Sequence, residues 1–328
     1  MIEILSIFLL CLTVITAVAV IRARSLFTAV MLMGIFSLLM AAAFLLLDAA
    51  DVALTEAAVG AGISTVLMLS ALALTASKER VEHVRFGVAV IVCTVLAGAI
   101  FYATFDKPPL GDPNAPVHQH VAPEFFSITR EEIGIPNVVT AILGSFRGYD
   151  TLGEVIVVLT AGIGVLFLIG GTAPMGQVSP SSGDQTIRGL RHHQPLRVIA
   201  KWAIPFIMIF AFYVQFHGEY SPGGGFQAGA LFAAAIILYG LIEGHRRSVQ
   251  VIPPAVLRAM AAGGALLYGA VGVVTMLMGG NFLEYRVLHE NSTTAQQMGI
   301  ILIEAGVGIT VAGVLLAIFH AFAARDRA

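Results

Sequence analysis

The chain has 328 residues, 58% of them hydrophobic and only 12% charged, and its mean hydropathy is +0.89. That profile excludes an ordinary soluble globular domain, whose charged share is about twice as large. A formal net charge of −2 implies nothing about nucleic acid and no basic run points to it, and the two cysteines, Cys11 and Cys93, lie in separate apolar runs that indicate neither a disulfide framework nor a metal site.

A membrane-crossing helix needs roughly 20 predominantly apolar residues. Runs of that kind fall near 2–21, 25–47, 52–75, 86–105, 150–170, 198–216, 224–243, 256–278 and 297–320. The fold class expected is therefore an all-α integral membrane protein with about nine spans. The first run, Ile4 to Ile21, is too long for the core of a cleaved leader and ends without a small-residue cleavage site. Segment 136–146 is too short to span and is expected at the interface or as a short packed helix. Basic residues are unevenly shared between the two sets of loops. Arg22, Arg24, Lys78, Arg80, Arg85, Arg188, Arg191, Arg197, Lys201, Arg246, Arg247, Arg258, Arg325 and Arg327 fall on one side, and Lys107, Arg130, Arg147 and Arg286 on the other. The richer side is expected to be cytoplasmic, with the N-terminus outside and the C-terminus inside.

The first block, 1–105, carries four spans, and the third opens with DVALTEAAVGAG. Glu56 lies about one turn inside that run, with Asp48 and Asp51 on the outer loop before it. A carboxylate in a membrane helix is costly and marks a functional candidate unless the interface hydrates it. Residues 106–149 form the longest polar stretch, and five prolines within its first eighteen residues predict an extended, irregular segment. His118 and His120 lie two apart there without a third ligand close by, which favours a solvated surface over a metal site. At the mouth of the fifth span stand Arg147, Asp150 and Glu154. Asp150 and Glu154 are helix-face neighbours, so their repulsion raises one carboxyl pKa unless Arg147 or a cation compensates, although Asp150 also suits a helix cap.

A Ser/Gly/Pro-rich basic linker, 171–197, contains His192 and His193 and separates the chain into two units. Beyond it, two spans are joined by HGEYSPGGGFQAG, which holds His217, Glu219, Pro222, Gly223, Gly224, Gly225, Phe226 and Gly229. Pro222 suits a helix start, and the three glycines allow a sharp return with a thin helix entrance. Gly225 and Gly229 share a face at the small-xxx-small spacing of close membrane helices. No Lys-Ser/Thr follows and no strand precedes, so a phosphate loop is excluded; a turn built for packing and an interface lining an ion route both remain. The eighth span reads as packing, and the loop after it, with Glu284, Arg286, His289 and Glu290, as solvated. The last span contains Glu304, followed by Gly306, Gly308 and Gly313. An unpaired charge at that depth costs roughly 2.5 kcal/mol or more, so Glu304 must be protonated, paired or wet.

The run HGEYSPGGGFQAG resembles the hairpin of the MnhB-type component of Mrp-type multisubunit cation/proton antiporters, a family with a Gly-His/Asp-x-x-Pro-Gly-Gly-Gly-Phe pattern. IEAG around Glu304 is similar to that family's Phe-Asp/Glu-x-Gly element. The run DVALTEAAVGAG resembles the hydrogenase D-like module at the C-terminal end of the family's A-type component. Arg147, Asp150, Thr151, Gly153 and Glu154 are similar to the single-helix E-like module that follows it. The resemblance implies a D-like module over 1–105, an outer loop and E-like module over 106–175, and an MnhB-like module over 176–328.

It also implies a secondary-transporter subunit, not an enzyme, in a bacterial cytoplasmic membrane, with Na+ or K+ and H+ as cargo and no cofactor. The implied partners are the large proton-pumping and small membrane subunits of the same antiporter, within the lipid bilayer. On that reading Glu56, Glu154, Glu219 and Glu304 line an outer-side ion path, with Asp150, Arg147 and His217 beside them. Two alternatives remain: a membrane subunit of a cation-translocating respiratory hydrogenase or related redox complex, and a purely structural scaffold.

Overall fold

The computed structural model describes residues 2–72, 74–75, 77–78, 86–109, 111–170 and 194–325. Most of the linker 171–197, with Arg188, Arg191, His192 and His193, lies outside the described residues, as do Arg80, Arg85 and Arg327. Among the described residues every regular element is helical. Without water in a bilayer, backbone N–H and C=O groups must pair within their own segment, and apolar runs of this length do so as helices.

Helices α1 (Ile2–Arg22) and α2 (Leu26–Leu46) form a hairpin, with the Ser25 hydroxyl accepting from Thr28 N at the start of α2. Helix α3 (Ala50–Leu72) returns and changes winding midway: Glu56–Ser64 is π-helical. Helix α4 (Phe86–Thr104) has no buried residue in its apolar window. Two short helices follow, α5 (Val121–Ile128) and α6 (Val138–Ala141), before α7 (Gly148–Gly170). After the linker come α8 (Gln194–His217), α9 (Gly225–Glu243), the short α10 (His245–Val251), α11 (Pro254–Leu277) and α12 (Ser292–Arg325). Nine of these helices are long and apolar enough to cross a membrane, and their ends fall close to the runs expected from sequence. The chain is a multi-pass membrane protein.

The core lies on α12. Two thirds of its apolar window (67%) and over half of α9's (56%) are buried, against 11% for α1 to α3 and α7. Helices α7, α9 and α11 all pack on α12, and α8 closes on α9. Glycines set the spacing. A Cβ on Gly264 of α11 would press on Thr310 N at 2.7 Å, and one on Gly313 of α12 on Ala261 N at 2.8 Å. The tyrosines Tyr268 and Tyr285, almost fully buried, donate to the carbonyls of Gly148 and Gly144, each at 2.8 Å. Those bonds tie α11 and the following loop to the mouth of α7.

The described residues of 106–115 are irregular as expected, but 116–149 is largely helical. Pro116 starts a helical turn (Pro116–Gln119), and Pro123 falls in the first turn of α5. The first N–H groups of a helix lack intrahelical partners, so proline is tolerated at those places. The segment is also part of the core. Ile133 and Ile135 are 2% and 3% exposed, and Ala141 is fully buried. Segment 136–146 packs as α6 and a π-helical turn, Ile142–Phe146, with Gly144 against Ile300 of α12. In the loop before α12, Arg286, His289 and Glu290 are exposed as expected; Arg286 pairs with Glu132, and Asn281 Nδ2 donates to Glu284 at 2.8 Å, both at the surface.

Candidate functional site

The hairpin between α8 and α9 is the meeting point of three parts of the chain. Gly223 and Gly224 have φ of 150° and 157°, backbone that side-chain-bearing residues rarely adopt. A Cβ on Gly223 would also sit 2.9 Å from Val214 Cγ1. Helix α9 begins at Gly225, so Pro222 stands three residues ahead of it, exposed, and fixes the approach instead of occupying the first helical position. Gly225 and Gly229 face α12 as their spacing predicts. A Cβ on Gly225 would drive into the Glu304 carbonyl, and one on Gly229 would lie 3.0 Å from Val311 Cβ. Phe226 packs against the core.

Three side chains from distant sequence, Asp51, Asn137 and Thr140, hold the hairpin. Asp51, in the first turn of α3, accepts from Gly223 N at 3.0 Å and from Asn137 Nδ2 at 3.3 Å. Asn137 caps α6 through Oδ1, and its Nδ2 also donates to the carbonyls of Gly218 (3.0 Å) and Ser221 (3.1 Å). Thr140 Oγ1 donates to Gly218 O at 2.8 Å, and Asn137 N to Glu219 O at 3.0 Å. Gln227 Nε2 donates to Thr55 Oγ1 at 2.7 Å, a second tie from α9 to α3.

Glu304 completes the knot. The N-cap of α9 is Gly224, which offers no side chain, and Glu304 Oε2 reaches across from α12 to accept from Gly225 N. A carboxylate thus faces the positive end of the α9 dipole. Glu304 lines a small cleft with Thr140, Gln215, Gly218, Glu219 and Ile300. Its free volume is about 10 Å³, at the lower limit for a single water molecule. Glu219 turns a buried Oε1 into this region without a hydrogen-bond partner, and burial pushes its carboxyl above the ordinary carboxylate range. The cleft therefore brings together two carboxylates, a hydroxyl, an amide and a backbone turn.

The other expected residues stand elsewhere. Glu56 opens the π-helical part of α3 and lays its carboxylate over Gly60, where a Cβ would lie 2.9 Å from Glu56 Cδ and 2.8 Å from Ser37 Oγ. Glu154 is exposed on α7. Arg147 Nε bridges Asp150 Oδ2 at 2.5 Å, with both side chains more than half exposed. His217 turns outward, stacked on Tyr213 at 4.9 Å and tilted on Tyr220 at 5.6 Å, and does not line the cleft. A single ring of four glutamates does not form around the cleft: Glu219 and Glu304 share it, whereas Glu56 and Glu154 do not. Asp51 and Asn137 were not singled out as site residues. The available signals were the aspartate opening DVALTEAAVGAG and the Pro-Asn pair before VVTA, which reads as a helix cap.

Comparison with known proteins separates the chain into three matched stretches. Residues 11–77 match the model for MbhD of MBH, 84–179 that for MbhE of MBH, and 195–317 a domain related to the MnhB subunit of Na+/H+ antiporter. An antiporter protein of Staphylococcus aureus, mnhB2, is 30% identical over 126 residues, 35% of this chain and 89% of the relative. The chain belongs to the MnhB family.

Its MnhB-related part includes the hairpin, Glu219 and Glu304. A Rhizobium meliloti protein, described as a probable A/B component of a K(+)/H(+) antiporter, is 27% identical over 63% of this chain and 22% of its own length. An uncharacterised Methanocaldococcus jannaschii protein is 30% identical over 51% of this chain and 66% of its own length. The chain thus spans less than two thirds of either of these relatives. Among solved structures, the Mrp complex from Dietzia sp. contains a similar chain, with a TM-score of 0.76 and 26% identity over 98% of this chain and 35% of that one. The archaeal membrane-bound sulfane sulfur reductase contains another, with a TM-score of 0.54 and 25% identity over 72% of this chain and 97% of that one.

Proposed function

We propose that this MnhB-family chain is a membrane subunit of a multisubunit monovalent cation/proton antiporter, and that its hairpin cleft forms part of the cation or proton access path. The observation that carries the reading is the placement of Glu304: a carboxylate deep in α12, set on the N-terminus of α9 and beside Glu219, in a cleft with room for water. A carboxylate kept at membrane depth marks an ion or proton route. The likeness to a chain of the Dietzia Mrp complex supports the same reading.

On this proposal the chain is a transporter subunit and not an enzyme, moves Na+ or K+ against H+ without a cofactor, and contributes to pH homeostasis. It sits in a bacterial cytoplasmic membrane with the basic loops inside. Residues 1–105, 106–175 and 176–328 act as D-like, E-like and MnhB-like modules against larger proton-pumping and smaller membrane subunits. Glu56, Glu154 and the Arg147–Asp150 pair, all away from the cleft, line further parts of the path at contacts with those partners.

The test uses inverted vesicles from cells without endogenous antiporters that express the full assembly. Adding Na+ or K+ should collapse a respiration-driven pH gradient, and omitting this chain should abolish that response. No cation-dependent collapse, together with co-purification of a redox-cluster protein, would replace the proposal with the energy-converting alternative. The likeness to the sulfane sulfur reductase chain keeps that alternative concrete.

A further inference from the structure

Helix α12 carries a second polar position sixteen residues beyond Glu304, about 24 Å along the axis. His320 is 3% exposed there. Its Nε2 lies 3.0 Å from the hydroxyl of Ser248, a fully buried residue of α10, and its Nδ1 is buried without a hydrogen-bond partner. The His245 ring meets it edge-on at 5.2 Å, and Phe319 flanks it at 5.9 Å. Buried polar nitrogens are almost always paired, so an imidazole with a vacant lone pair calls for an explanation.

The surroundings suggest one. Glu243, at the end of α9, is buried and accepts from Arg197 at 3.0 Å and Lys201 at 3.1 Å, both on α8. Arg247 of α10 holds its other oxygen. Arg258 lies in the first turns of α11 at the same end of the bundle. The short helix α10 hangs from α9 through Gly244, whose φ of 92° suits glycine. Arg247 and Ser248 are adjacent on that helix, so it joins the Glu243 cluster to His320. A charged His320 would be a further cation in a corner where one carboxylate already meets three.

We propose that His320 is a proton-binding site which couples pH on the arginine-rich side of the membrane to the position of α10. A proton taken from water binds the vacant Nδ1 lone pair. In the tautomer that leaves Nδ1 free, Nε2–H already donates to Ser248 Oγ, so protonation adds an N–H at Nδ1 and a positive charge, and α10 swings about Gly244, loosening the Arg247–Glu243 pair. The consequence for transport rests on the antiporter reading; the conformational step does not.

Hydrogen–deuterium exchange on the intact assembly tests the step directly. Corrected exchange across 245–251 is compared at about pH 8 and about pH 4, so that the acid end lies well below the ordinary histidine value of about 6.5. Exchange should rise several-fold at the acid end in the wild type and stay flat in His320→Gln, whose amide nitrogen keeps a donor for Ser248. Equal protection at both pH values in the wild type overturns the proposal whether or not the variant assembles. In vesicles, His320→Gln should retain the maximal antiport rate and lose its dependence on pH at the arginine-rich face. An unchanged pH profile in that variant also overturns the proposal. Failure of the wild type to exchange cations would sink the antiporter reading and leave the exchange result to stand alone.

Discussion

Asn137 offers the sharpest test of how the hairpin is held. Its side chain reaches five partners: the two Nδ2 protons are shared among Asp51 Oδ1, Gly218 O and Ser221 O, and Oδ1 accepts from Val139 N and Thr140 N. At roughly 1 kcal/mol net apiece, discounted for the half-exposed position, Asn137→Ala should cost about 3 kcal/mol. Asn137→Asp is nearly isosteric and preserves the cap, which alone is worth about 1 kcal/mol. It nevertheless replaces the donating amide by an oxygen facing two carbonyls and the Asp51 carboxylate. Two like charges about 4 Å apart repel by roughly 4 kcal/mol near a protein surface. The aspartate variant should therefore be the less stable of the two at neutral pH, against the usual ranking of conservative changes. The assay is thermal unfolding of the purified assembly, with proteolysis within 218–224 as a local readout. If Asn137→Asp proved as stable as the wild type, the reasoning that this amide fastens the hairpin would be refuted.

Three further outcomes are expected. Gly225→Ala should disrupt the α9–α12 crossing and lower the yield of assembled protein, because its Cβ would enter the Glu304 backbone, whereas Gly263→Ala, with nothing within 4 Å, should be tolerated; membrane extraction and size-exclusion profiles compare them. Tyr268→Phe should lower the melting temperature by the equivalent of about 1 to 2 kcal/mol, since the Gly148 carbonyl loses its buried donor. Burial raises the Glu219 carboxyl, so the folded state binds more protons than the unfolded one and stability falls as pH rises upward from the ordinary value of 4.5. Glu219→Gln lacks that slope, and its melting temperature should exceed the wild type's by a margin that grows with pH; parallel curves would contradict the assignment.

Much of the fold was legible because a bilayer leaves a chain few choices: long apolar runs must be helices, and all nine spans end near the expected residues. The hairpin was legible too, since three glycines in a row have a local backbone reason. What escaped were long-range polar contacts. Asp51 and Gly223 are 172 positions apart, and Asn137 and Asp51 are 86 apart. No periodicity encodes such pairs. The π-helical turn at Glu56–Ser64 was also invisible, because its composition suits an ordinary helix. His217 looked like a companion of Glu219 by adjacency, yet Tyr213, one turn back, draws its ring outward. In the 106–149 stretch Pro108, Pro109 and Pro113 do mark irregular chain, whereas Pro116 and Pro123 sit in first helical turns, where proline is compatible with a helix.

Antiport by the intact assembly carrying Glu304→Gln tests the central claim most directly. The amide keeps an oxygen for Gly225 N–H, so the hairpin stays anchored while the ionisable group at the cleft is lost. The account predicts normal assembly with cation-driven proton flux reduced to background. Wild-type flux from that variant would show that no moving charge depends on this carboxylate, and would leave Glu304 as the helix cap of α9.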